Sequence, residues 1–143
     1  MKLAGLAAAS LAAVLLLGGC TDGSPSATSG PTAAAAPAVG SSLSPSDFAA
    51  ALKLPGTVLL DVRTPAEFSA GHIAGAVNLD VQSAAFAQKV AALDRAKSYA
   101  VYCHSGNRSK TAKTAMQQAG FSHVYDLAGG VQAWQSAGGP VTG

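Results

Sequence analysis

The run Cys103-His104-Ser105-Gly106-Asn107-Arg108-Ser109 gathers the residues of this chain best suited to chemistry. It directly follows the apolar stretch Ser98-Tyr99-Ala100-Val101-Tyr102 and leads into a segment of helical composition. A strand, a polar glycine-bearing loop and a helix start aim several backbone N–H groups at one point. Arg108 adds a fixed positive charge, and both features favour a thiolate and hold an anion beside it. Cys103 is therefore the candidate nucleophile, set against the plainer reading of a small buried hydrophobe at a strand end. His104, Ser105, Gly106, Asn107, Arg108 and Ser109 form the candidate cradle, with Gly106 supplying backbone freedom. His104 reads either as a solvated loop residue or as a direct participant. Lys110 and Lys113, farther along, either add to anion attraction or form a solvated helix face.

The elements that must position this loop follow from pattern. Ser44-Pro45-Ser46-Asp47 opens a helix, with a capping serine, a proline in the first turn and an early acid. Phe48, Leu52 and Leu54 give it an apolar face, and Pro55-Gly56 ends it. Thr57 to Val62 is a continuous apolar run of strand length, as expected for a strand covered on both faces. Thr64-Pro65-Ala66-Glu67-Phe68 starts a short helix, Ala76 to Leu79 is a short strand, and Ala84 to Ala92 has helical composition. Ser98 to Tyr102 delivers Cys103, Asn107 to Ala119 reads as a helix stopped by Gly120, and His123 to Leu127 is a further strand. Gly129-Gly130 turns into a last helix containing Val131 and Trp134. Strands alternating with helices predict an α/β fold, a parallel sheet with helices on both faces. Sites in such sheets lie at the carboxyl ends of strands, where this reading puts Cys103 and Asp61. An acid in that position pairs with nearby backbone or an arginine, so Asp61 and Arg63 are supporting candidates. Glu67 and His72 are expected to cap or brace turns, and Trp134 to lie in the core.

The N-terminal third has a different character. Met1-Lys2 precedes an uncharged run, Leu3 to Leu17, too short for a spanning helix of about 20 apolar residues but suited to an export signal. It ends in Leu17-Gly18-Gly19-Cys20, which resembles the lipobox of bacterial lipoproteins. That resemblance implies cleavage before Cys20, lipidation of its thiol with diacylglycerol, a further acyl chain such as palmitate, and a chain held on the extracytoplasmic side of the cell membrane. A plain signal peptide or a weak anchor is the competing reading. The segment from Thr21 to Ser42 is almost wholly Ser, Thr, Ala, Gly and Pro, too poor in apolar surface to offset the entropy of ordering it. It is read as a tether with a coil span of roughly 25 Å and a stretched limit near ~70 Å. The expected organisation is thus 1–19 signal, 20–42 lipidated cysteine and tether, and 43–143 a single domain. With two cysteines in all and Cys20 lipidated, Cys103 has no intramolecular partner, and an exported domain that keeps a lone thiol keeps it for chemistry. The net charge of +2 is too small to point to nucleic acid. His72, His104 and His123 are too scattered to predict a metal site.

Four ordered stretches together resemble the rhodanese family of sulfurtransferases. Asp61-Val62-Arg63-Thr64-Pro65-Ala66-Glu67-Phe68 continues through Gly71-His72-Ile73-Ala74-Gly75-Ala76-Val77-Asn78-Leu79 and matches the family's early block. Val101-Tyr102-Cys103 with Gly106 and Arg108 matches its active-site loop. Leu127-Ala128-Gly129-Gly130-Val131-Gln132-Ala133-Trp134, followed by Gly139-Pro140-Val141, matches its ending. The resemblance spans about Leu43 to Val141. It implies a single rhodanese-like domain, a monomer, in which Cys103 takes the outer sulfur of a small anionic donor such as thiosulfate as a persulfide. The acceptor would be cyanide, a thiol or a protein, and no cofactor would be needed.

Two other classes compete. Cysteine-dependent phosphatases related to this fold resemble Cys-x5-Arg, whereas four residues separate Cys103 from Arg108. The tighter ring suits a single sulfur better than a phosphate, and a single-cysteine arsenate reductase stands beside the phosphatase as a remote reading. The non-enzymatic alternative is a membrane-tethered persulfide carrier or binding module with little turnover of its own.

Overall fold

The computed structural model describes residues 35–143; the expected signal run, Cys20 and most of the expected tether lie outside the described residues. The elements are β1 (Ser42–Leu43), α1 (Pro45–Ala51), β2 (Thr57–Asp61), α2 (Pro65–Ser69), β3 (Val77–Asn78), α3 (Phe86–Ala91), β4 (Ser98–Tyr102), α4 (Asn107–Gln118), β5 (Val124–Leu127) and α5 (Gly130–Ser136). The strands form one sheet in the order β1-β5-β4-β2-β3, and every pairing is parallel. The predicted α/β architecture is the one observed. Successive strand residues face opposite layers. Leu60, Tyr99 and Val101 pack with Phe86 and Val90 of α3 and Ala112 and Met116 of α4. Leu59, Ala100 and Tyr102 pack with Phe48 and Ala51 of α1 and Val131 and Trp134 of α5. The middle strand β4 is covered on both faces, and its carboxyl end is where the candidate loop begins.

Local signals explain the helix starts. Ser44 Oγ accepts from the Asp47 N–H at 3.2 Å ahead of Pro45, as the sequence predicts. Thr64 and Glu67 form a reciprocal capping box at α2, again with a proline in the first turn. Several elements are shorter than expected. α1 ends at Ala51, so Leu52 and Leu54 lie beyond it; α3 begins only at Phe86, behind an Ala85 cap that offers no side-chain acceptor.

One strand was not foreseen. β1 pairs with β5, Ser42 beside Asp126 and Leu43 beside Leu127. The Asp126 N–H donates to Ser41 O at 3.1 Å, and the Gly40 N–H donates to Val124 O at 3.0 Å. Gly40–Ser42 therefore belong to the folded body rather than to the expected tether, whose boundary at residue 42 falls inside a strand. Two residues in a Ser/Gly-rich segment carry no alternating pattern to betray a strand.

Candidate active site

Cys103 stands at the end of β4, with 1% of its surface exposed. The Gly106 N–H donates to its sulfur at 3.1 Å, and Ser109 Oγ lies 3.6 Å from the same sulfur. The loop reaches this shape because Gly106 adopts φ +96°, where a side chain would be strained and its Cβ would stand 3.1 Å from Gly129 N. α4 starts immediately afterwards, and its first turn leaves N–H groups without intrahelical acceptors. The start of α5 braces the loop from the far side: the Val131 N–H donates to Cys103 O at 2.8 Å and the Gln132 N–H to His104 O at 3.2 Å. A Cβ on Gly130 would sit 2.5 Å from Cys103 O, so this approach requires glycine. In the sequence Gly129-Gly130 reads as a turn into the last helix, with no sign of this contact.

Arg108 has a partner with which the sequence reading did not pair it. Its two terminal nitrogens donate to Glu67, Nη1 to Oε2 at 2.8 Å and Nη2 to Oε1 at 2.7 Å, rather than to the sulfur. A guanidinium has five N–H donors, so this fork leaves three for other acceptors. The Arg108 hydrogen bond is the chief reason that Glu67 ionises at about 2 instead of the usual 4.5; the Thr64 hydrogen bonds add to it and burial opposes it. Arg108 is raised in turn, first by the Glu67 hydrogen bond, with smaller attractions from Cys103 and Asp61. Glu67 thus caps α2, as expected, and also fixes the arginine of the loop.

Asp61 and Arg63 form a buried pair at the end of β2, as predicted. Arg63 donates from Nε and Nη2 to the carboxylate at 2.6–3.0 Å, and Nη2 also reaches Gly71 O at 2.7 Å. The Asp61 hydrogen bond raises the Arg63 guanidinium against the opposing effect of burial. The Arg63 guanidinium also lies over the Tyr102 ring. The Tyr102 hydroxyl is pushed well up by burial and accepts from the Ile73 N–H at 3.0 Å. His104, Ser105 and Asn107 are exposed around the loop, as is Lys110. A cleft of about 290 Å³ opens beside the loop, lined in part by Arg63, Glu67, His104, Val131 and Gln135. His72 braces its turn, with Nδ1 at 3.0 Å from Phe68 O and its ring stacked on Phe68, and Trp134 is core.

Lys113 is not on a solvated face. It is 8% exposed, and its Nζ donates to Asp126 Oδ1 at 2.6 Å and to Gly40 O at 2.6 Å. Asp126, fully buried in β5, escaped the sequence reading, although a carboxylate inside Val124–Leu127 was a signal that some partner must meet it.

Comparison with known proteins agrees with this geometry. The family model described as Rhodanese-like domain matches residues 44–137. A protein named thiosulfate sulfurtransferase GlpE, from Pseudomonas entomophila (strain L48), is 41% identical over 88 residues, which are 62% of this chain and 79% of that protein. Among solved structures, a rhodanese-related protein from Thermoplasma volcanium superimposes with a TM-score of 0.64 at 35% identity, covering 71% of this chain and 97% of that one. A Rhodopseudomonas palustris protein of unknown function, described as a possible tyrosine phosphatase, superimposes with a TM-score of 0.57 at 33% identity, covering 72% and 85%.

Proposed function

Since the chain belongs to the rhodanese-like domain family, we propose that it moves a sulfane sulfur from an anionic donor such as thiosulfate to a thiophilic acceptor through a persulfide on Cys103. It is an enzyme of the sulfurtransferase type, as its named relatives are. The observation that supports the persulfide most is the Cys103 sulfur held at the carboxyl end of β4 by the Gly106 N–H at 3.1 Å, with Ser109 Oγ beside it. The thiolate attacks the outer sulfur of thiosulfate, the S–S bond to the sulfonate breaks, and its electron pair leaves with sulfite. The new terminal sulfur carries the negative charge, which the loop N–H groups and the Ser109 hydroxyl stabilise. Cyanide or a thiolate then takes that sulfur and returns Cys103 to the thiolate. Arg108 attracts the dianionic donor with the N–H groups that Glu67 leaves over, while Glu67 keeps its plane fixed. Asp61 and Arg63 hold the neighbouring strand end and take no proton.

The test is steady-state formation of thiocyanate from thiosulfate and cyanide by the full chain, beside Cys103→Ser. The wild type turns over and the serine variant does not, because serine gives no thiolate at neutral pH. Hydrolysis of phosphate esters without sulfur transfer would favour the phosphatase reading. Sulfur accepted by Cys103 but passed only to a protein would favour the tethered carrier.

For location, the support is Leu17-Gly18-Gly19-Cys20 with the polar segment behind it. In this reading Cys20 is lipidated and holds the domain on the extracytoplasmic side of the membrane, since two or more acyl chains anchor stably where one is marginal. Labelled fatty acid should enter the wild type and not Cys20→Ala, and only the wild type should partition into detergent. Unlabelled wild-type protein in the aqueous phase would contradict the anchor.

A further inference from the structure

We propose that Lys113, Asp126 and Ser42 are positioning residues for the sulfur-accepting step, acting on Cys103 through the hydroxyl of Ser109. The proposal rests on the reading of Cys103 as the nucleophile. Ser109 has one proton and three neighbours able to take it: Gly106 O at 3.1 Å, Asp126 Oδ2 at 3.5 Å and the Cys103 sulfur at 3.6 Å. While Cys103 is a thiol, its S–H donates to Ser109 Oγ and the serine proton goes elsewhere. Once Cys103 becomes a thiolate or a persulfide anion, stabilisation requires the serine proton to turn to sulfur. A bare Asp126 carboxylate behind Ser109 would hold that proton and repel the sulfur anion.

The surroundings of Asp126 remove that conflict. Lys113 Nζ and Ser42 Oγ both donate to Oδ1, each at 2.6 Å, on the oxygen away from Ser109. Oδ2 is left with the long Ser109 contact alone among the described residues. Lys113 is itself held by Gly40 O at 2.6 Å, so the segment leading into β1 closes the pair off from solvent. A buried ion pair is seldom a net gain in stability over apolar residues of the same size, which makes its place behind the serine that touches the nucleophile informative. The other ion pairs near Cys103 are Arg108 with Glu67 and Arg63 with Asp61 from β2, and His104 is the other titratable side chain of the loop. None of these changes in the variants below.

The experiment follows thiolate absorbance of the full chain against pH, each variant measured against its own Cys103→Ser counterpart, with thermal melting recorded in parallel. Lys113→Met leaves Asp126 uncompensated, so the thiolate midpoint should move up by about one pH unit. Persulfide formation from thiosulfate should fall with the thiolate fraction, by up to ~10-fold at pH values well below the midpoint. Ser42→Ala removes one donor, contributed by an exposed residue, and should move the midpoint the same way by less. Adding Asp126→Asn to Lys113→Met removes the uncompensated charge and should return the midpoint towards wild type. Midpoints equal to wild type in both Lys113→Met and Ser42→Ala, whatever the melting temperatures, overturn the proposal. If Lys113→Met does not fold, an unmoved midpoint in Ser42→Ala overturns it alone. A wild type that takes no sulfur while the midpoints shift as stated rejects the sulfur chemistry and keeps the positioning of the thiolate.

Discussion

At the scale of single residues, Glu67 links the cap of α2 to the arginine of the loop, and its ionisation gives that link a pH signature. Its folded value, about 2, is below the usual 4.5, so the stabilisation is fully present above about pH 4.5 and is lost as the pH falls towards 2. Acid melting of the wild type should therefore steepen in that window relative to Glu67→Gln, which has no charge there to lose. Parallel curves for the two proteins would mean that the pair contributes nothing to the fold. Arg108→Ala should slow thiosulfate turnover and let Glu67 titrate in the ordinary carboxylate range, read by NMR of its side chain. Arg108→Lys should recover only part of the rate, since an ammonium cannot span both Glu67 oxygens and still face the donor. A Glu67 that still ionises near 2 without Arg108 would locate the cause in the Thr64 cap.

At the scale of elements, the loop is held from two sides, and each side gives a test. Thr64→Ala breaks the capping box and should cost about 1 kcal/mol of stability in denaturant unfolding. It also takes the hydroxyl donor away from Glu67, which keeps Arg108 and the Thr64 N–H, so activity should fall slightly more than the melting temperature alone explains. Gly130→Ala meets both a positive φ of +61° and a Cβ 2.5 Å from Cys103 O. That variant should lose thiocyanate formation even where circular dichroism shows native helix content. The capping signals Ser44-Pro45 and Thr64-x-x-Glu67 were legible because a cap is written in neighbouring residues. The Gly130 contact was not, because it joins α5 to a loop some 26 positions earlier in the chain, counting from Gly130 to His104. The fate of Lys113 was illegible for a similar reason. Only the fold brings it to Asp126 and Gly40, and a lysine on a polar helix gives no sign of which way it points.

At the scale of the whole molecule, the alternation of strands and helices was enough to predict a parallel sheet and to put Cys103 at its carboxyl edge. It was not enough to show where the folded body starts. β1 is two residues long, and its first residue, Ser42, lies in the stretch that composition assigns to a tether. A chain shortened to begin at Leu43 should melt lower than one beginning at Ala35, because it lacks Ser42 on Asp126 and Gly40 on Lys113. Equal melting temperatures would make β1 an ornament of the sheet. The most direct test of the central claim is the intact mass of the full chain carrying Cys20→Ala, in which Cys103 is the single thiol, before and after thiosulfate. The account predicts a gain of one sulfur atom, release of an equal amount of sulfite, and return to the original mass on adding cyanide. An unchanged mass with thiosulfate, or the same gain in a chain that also carries Cys103→Ser, would contradict it.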